Sequence, residues 1–284
     1  MNKMVFVLAP LLVLLTDCSG ESSHSLKKYE DSLVAHSRSA ERSSSDTLAP
    51  LSVETYEVPV ENTDASYMGY LEGSETAGFG SGPGAIAVGG KYIFIVDTYH
   101  KNVKRIDMET KSVMASSRFV PDDTPPPMDV MVQSENVYIL NRSDTLYVLD
   151  QNLVLKEKVV LPSEFWRSQQ YFLQRTDNLA DVHVYSPITN QLVTVSTNGL
   201  KVDSVDRDSM LPGYNMLYNE NASITPNSDS TMWYAKLPDG AWLRLPDQLP
   251  ELDLWWAKNI TADTHRFVYF NVTKEKFEVH VYTY

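Results

Sequence analysis

The feature that most constrains this chain is a hairpin that keeps returning. Short alternating strands flank a tight turn at residues 92–107, 137–150, 182–196, 232–245 and 267–282. Taking Ile95, Ile139, Val184, Trp233 and Val268 as equivalent, the steps are 44, 45, 49 and 35 residues. A repeat of that size is the size of a propeller blade. Branched and aromatic residues suit a pleated, half-buried surface, and sixteen Tyr, nine Phe and five Trp agree with it. The expected class is therefore all-β.

Each repeat divides into four strands. In the first they are 85–88, 92–97, 103–107 and 112–119, and in the second 128–132, 137–140, 145–149 and 156–161. The third gives 171–175, 182–185, 192–196 and 201–205. The fourth is looser, with 216–225, 232–235, 241–245 and a last strand near 252–256. The fifth, with 259–263, 266–272 and 276–282, stops one strand short, while residues 53–60 form a lone alternating strand upstream. The two defects cancel if the N-terminal strand completes the last blade and closes the ring. The expected architecture is a β-propeller of five to six four-stranded blades. Five are counted. A sixth would have to lie within 59–82 or 205–231, and a sandwich or a closed barrel would also show spaced hairpins.

Ahead of the strands the text changes. Lys3 precedes an apolar run over residues 5–15, interrupted by Pro10. Eleven residues at about 1.5 Å each make roughly 16 Å of helix, short of a hydrocarbon core of about 30 Å. Residues 1–17 read as a secretory signal. Cys18 is the only cysteine, so no intramolecular disulfide can form. From 19 to 50 there are ten serines, no Trp or Phe, and no hydrophobic periodicity. That composition cannot offset the entropy of ordering. The expected division is a signal at 1–17, a disordered tether at 18–50 and a propeller domain at 51–284.

A net charge of −13 without a basic track repels phosphate backbones, so nucleic acid is not an expected partner. Six histidines (His24, His36, His100, His183, His265, His280) show no paired ligand spacing, and phosphate-loop and nucleophile-elbow motifs are missing. The expectation is no metal and no cofactor. Asp97, Asp107 and Asp150 end strands ahead of turns, where a carboxylate accepts backbone N–H groups. A hydrolase would need carboxylates converging on the channel; Asp129, and then Glu220 and Asp263, are the candidates. Four Asn-x-Ser/Thr sequons begin at Asn141, Asn221, Asn259 and Asn271, and read as chance in a Ser- and Thr-rich chain.

Two resemblances extend this reading. Leu15-Thr16-Asp17-Cys18 resembles a bacterial lipobox, whose cysteine is acylated, although Asp17 stands where Gly, Ala or Ser is usual. Gly82-Pro83-Gly84-Ala85-Ile86-Ala87-Val88, then Tyr92-Ile93-Phe94-Ile95-Val96-Asp97-Thr98 and Asn102-Val103-Lys104-Arg105-Ile106-Asp107, resembles an NHL repeat. Residues 127–150 match it moderately, and later repeats keep only the rhythm. The whole is similar to the six-bladed NHL-type propeller lipoproteins of Bacteroidetes. The resemblance implies six blades and a lipid anchor at Cys18 in the cell envelope, in the periplasm or at the outer-membrane surface. It implies no reaction.

The expected site lies on loops around the channel mouth, where Tyr99, His100, Trp166, Arg167, Tyr214 and Trp255 supply aromatic and cationic anchors. The expected function is binding or scaffolding for a glycan, peptide or partner protein. The alternative is a propeller-fold glycoside hydrolase or lyase acting on extracellular carbohydrate.

Overall fold

The computed structural model describes residues 47–70, 82–117, 125–141, 144–162, 172–174, 181–186, 191–196, 199–204, 218–219, 222–226, 233–237, 241–245, 260–263, 265–272 and 275–284. Regular structure among them is all β. Two N-terminal strands, β1 (Thr47–Leu48) and β2 (Ser52–Pro59), precede the repeats. The first blade is β3 (Pro83–Gly89), β4 (Tyr92–Asp97), β5 (Asn102–Asp107) and β6 (Ser112–Ser117). The second is β7 (Pro127–Gln133), β8 (Asn136–Asn141), β9 (Thr145–Asp150) and β10 (Leu155–Val160). The third is β11 (Phe172–Gln174), β12 (Val182–Ser186), β13 (Gln191–Ser196) and β14 (Gly199–Ser204). Next come β15 (Tyr218–Asn219), β16 (Ala222–Pro226), β17 (Trp233–Lys236) and β18 (Trp242–Arg244). The last three are β19 (Ile260–Ala262), β20 (Arg266–Val272) and β21 (Lys276–Thr283).

These strands form five sheets among the described residues, built from consecutive antiparallel hairpins except where β1 and β2 join two of them at the edge. The first strand of blade 1, β3, lies against β7 of blade 2 and β19 of blade 5, and β7 also meets β11. Sheets whose first strands gather side by side while their last strands lie outermost are propeller blades.

Strand periodicity explains why the blades stack. Side chains alternate between the two faces of a strand, and on β3 the small Ala85 and Ala87 turn toward blade 2 while Ile86 and Val88 turn toward blade 5. Ala85, Ala87, Phe94 and Val96 share one buried cluster with Val130, Val132, Ile139 and Leu149 of blade 2. Ile86, Val88, Ile93 and Ile95 share another with Val268, Phe270, Val279 and Val281 of blade 5. Similar cores lie between blades 2 and 3 and between blades 4 and 5. The core is therefore a set of seams between sheets. Polar ties cross the same seams: Arg105 donates to Gln151 O at 2.5 Å and Asn152 Oδ1 at 2.8 Å, and Gln133 Nε2 donates to Asp181 O at 2.6 Å.

Turn chemistry follows the sequence. Asp107 Oδ1 accepts from the N–H of Glu109 at 2.8 Å, and Asp150 Oδ1 from those of Asn152 at 2.8 Å and Val154 at 2.9 Å. Both are turn caps, as their positions at strand ends predict. Gly90, at φ 57° between β3 and β4, supplies the left-handed residue that this turn requires.

The ring closes as the two defects in the repeats suggest, because β2 pairs along its length with β21 and takes the outer place of blade 5. Blade 4 departs from expectation in two ways. The strand expected over 216–225 is split into β15 and β16, which pair with each other. Its outer place is taken by β1, which runs parallel to β18 with Thr47 opposite Trp242, so the chain is already within a sheet before the domain start expected at residue 51. The strand expected near 252–256 lies outside the described residues.

Candidate functional site

Between β2 and the first strand of the ring, residues 60–70 cross the seam of blades 5 and 1 at the same end as the β4–β5 turn. The segment is tied down by side chains of blade 1. Asp97 ends β4, and its Oδ1 accepts from the N–H groups of Tyr99 and His100, each at 3.1 Å, which shapes the turn. Its Oδ2 faces across the seam, accepting from the Gly69 N–H at 2.9 Å and lying 2.8 Å from His100 Nδ1 and 3.0 Å from Lys104 Nζ. Lys104 completes its coordination with Ala65 O at 2.9 Å and Asn102 Oδ1 at 3.0 Å. His100 Nε2 lies 3.3 Å from Asn62 O.

Asp97 and Lys104 are both 0% exposed. Burial opposes ionisation of Asp97, but His100, the Lys104 charge and the Gly69 N–H outweigh it and hold the carboxyl below its usual range. Burial pushes the Lys104 ammonium down, against the pull of Asp97. The result is a buried ion pair whose remaining hydrogen-bonding capacity is used to hold a loop. Gly69 is required by packing, since a Cβ there would come within 2.5 Å of the Tyr99 ring.

The loop carries its own bonds. Asn62 and Tyr70 exchange two at 2.8 Å each, and Asp64 Oδ1 accepts from the Ser66 N–H at 2.9 Å and Oγ at 2.7 Å. Held in this way, Ser66 and Tyr67 form the upper lip of a cleft of about 400 Å³ between β2 and the outer part of blade 1. Val58, Ile106 and Val113 give it an apolar floor; Tyr56, Glu57, Lys111 and Ser112 line it below the lip. Tyr67 is 40% exposed. Tyr56 OH donates to Glu54 Oε2 at 2.9 Å and Met108 O at 3.3 Å, and burial, with Glu54 beside it, pushes the phenol far above its ordinary range. Tyr56 is therefore a neutral donor, and Lys111, 3.3 Å from Glu54, closes the lower end.

Of the residues expected at the site, two lie within the described structure. His100 is part of the clamp and Tyr99 packs edge-on against it, ring centroids 5.1 Å apart. Both position the lip from below. Trp166, Arg167, Tyr214, Trp255 and Cys18 lie outside the described residues, as does Glu220. Asp129 is buried, accepting from Val130 N–H and, across the seam to blade 3, from Leu173 N–H, both at 2.8 Å. Asp263 caps its turn through His265 N–H at 2.9 Å and Arg266 N–H at 2.8 Å, and pairs with the Arg266 guanidinium. Among the described residues no three His, Cys, Asp or Glu side chains converge as a metal site would need.

Lys104, Tyr67 and the cleft itself were not expected. Lys104 could have been found: in Asn102-Val103-Lys104-Arg105-Ile106 it takes the phase of Ile106, a core position, two residues from a polar Asn. A lysine in a core phase needs a buried partner. The cleft had no such signal, because it joins residues 56–67 to 106–113 across a seam.

No protein-family model matches the chain, and no curated protein does. Solved structures resemble it distantly. An inactive variant of virginiamycin B lyase from Staphylococcus aureus with quinupristin aligns at 11% identity over 70% of this chain and 65% of its own, TM-score 0.36. A streptogramin B lyase aligns at 13% over 82% and 74%, TM-score 0.41. A Bacteroides thetaiotaomicron protein of unknown function aligns at 13% over 67% and 50%, TM-score 0.40. The chain thus spans less than two thirds of the first and half of the third.

Proposed function

We propose that this propeller is an exported, envelope-attached binding module that takes a peptide, a glycan or a partner protein in the cleft at the seam of blades 5 and 1. One observation carries the reading: a buried ion pair holds the loop that forms the upper lip. Burying two charges costs several kcal/mol each before they pair, and here the pair fixes a surface loop beside an open cleft. A rigid lip bearing a half-exposed tyrosine is a preorganised binding surface, with little ordering left to oppose association.

Envelope attachment rests on the apolar run at 5–15 and the lipobox-like Cys18, and kinship with NHL-type propeller lipoproteins on residues 82–107. The hydrolase alternative draws no support from Asp129 or Asp263, whose oxygens are engaged by backbone N–H groups and Arg266. Two experiments test the proposal. Cys18→Ser should move the protein from the membrane fraction to the soluble one, and unchanged fractionation rules out the anchor. On peptide and glycan arrays, ligands of the wild type should be lost by Tyr67→Ala; a variant that binds as the wild type does removes the cleft from consideration.

A further inference from the structure

Among the described residues, the outer edge of β2 carries backbone groups that its sheet does not use. Val60 N–H donates to Glu275 O at 3.2 Å, which extends the pairing of Val58 with Phe277 and Glu57 with Glu278. Antiparallel partners exchange their bonds at every second pair. Val60, Val58, Tyr56 and Glu54 therefore point their N–H and C=O groups at β21, while Glu57, which lines the cleft, and Thr55 and Val53, which continue the edge beyond it, point theirs outward.

The chain already uses this edge once. Met68 N–H donates to Pro59 O at 3.2 Å and Glu61 N–H donates to Met68 O at 2.9 Å, forming a parallel bridge opposite Val60. Directly beyond the bridge, Thr55 and Glu57 are exposed. An open edge beside an apolar floor is a template for strand addition.

We infer that the cleft receives an extended peptide segment of a partner protein, which lies on β2 as an added strand of blade 5 in line with Met68; this rests on the cleft being the binding site. Residues 53–57 offer about 17 Å of edge at about 3.4 Å per residue. Alternate side chains of the added strand turn toward Val58, Ile106 and Val113, which suits Val, Ile or Leu. The others run past Glu57 and Lys276, which pair at 3.1 Å. A glycan in the same cleft would use side chains and leave the backbone edge open.

The test uses the full chain and capped hexapeptides alternating valine with threonine, lysine or glutamate. At saturation, at least one should slow hydrogen exchange of the Thr55 and Glu57 amides tenfold or more, and N-methylation of its alternate amides should weaken binding at least tenfold. Glu57→Pro removes an outward donor while leaving the β21 pairing intact, as edge prolines do, and should abolish peptide binding without lowering the melting temperature appreciably. Strand addition is overturned if no peptide protects Thr55 and Glu57, or if the N-methylated peptide binds equally well. A ligand lost on Tyr67→Ala that leaves both amides unprotected overturns strand addition and keeps the cleft; a ligand indifferent to Tyr67→Ala overturns the cleft.

Discussion

Asp97 and Lys104, each wholly shielded from solvent, meet at 3.0 Å beneath the loop that they hold. Removing one partner of a buried pair leaves an uncompensated charge, at a cost of about 3–5 kcal/mol. Lys104→Met should therefore destabilise the protein by that amount in urea melts and make residues 61–70 susceptible to proteolysis. The double variant Asp97→Asn, Lys104→Met should lose less than the sum of the single losses. Additive losses would mean that the two groups do not interact.

Two histidines set the response to mild acid. Burial lowers the pKa of His183 and of His280, the latter stacked on Tyr269 at 4.6 Å. The unfolded chain thus takes up protons first as the pH falls below about 6.5. Stability is full above that pH and declines as it falls toward the lower folded values. The variant His183→Gln, His280→Gln should flatten the decline between about pH 6.5 and 5, measured as the urea midpoint. Asp97, whose folded pKa is also depressed, keeps its contribution above about pH 4 and loses it below. An unchanged slope in the double variant would assign the decline to other groups.

Gly89 and Val132 report on how closely the first strands of blades 1 and 2 approach. A Cβ on Gly89 would lie 2.4 Å from Val132 Cγ1 and 3.0 Å from its Cβ. Overpacking of this kind costs about 1–3 kcal/mol. Gly89→Ala should lower the melting temperature, and Val132→Ala on that background should restore part of it. If Gly89→Ala is neutral, the strands do not pack this closely.

Much of the fold was legible because it is periodic. The alternation of Ala85 and Ala87 with Ile86 and Val88 sends residues to two different seams, and the solitary strand at 53–60 is paired with the incomplete last blade. The caps at Asp97, Asp107 and Asp150 were legible for a local reason, since a carboxylate at a strand end reaches N–H groups two to four residues on. What escaped was joined across distance. Nothing local ties Lys104 to Ala65 or Tyr67 to Val113, and the parallel pairing of Thr47 with Trp242 uses a segment whose composition reads as a tether. The loops around the channel are expected at the site only by analogy of architecture; of the residues expected there, Tyr99 and His100 lie against the 60–70 loop through Gly69 and Asn62.

Everything proposed for the seam depends on β2 lying against β21 in the observed register. Glu57 and Glu278 face each other as a pair that exchanges no backbone bonds, a geometry with Cα atoms about 4.5 Å apart and within reach of a disulfide. On a Cys18→Ser background, Glu57→Cys with Glu278→Cys should oxidise to an intramolecular disulfide. The bond closes a loop spanning most of the chain and should raise stability by up to about 5 kcal/mol. The control, Glu57→Cys with Phe277→Cys, places the thiols on opposite faces and should remain reduced. A disulfide at 57 and 278 but not at 57 and 277 is the predicted result. Failure of the first pair, or equal oxidation of both, would contradict the closure and the cleft built on it.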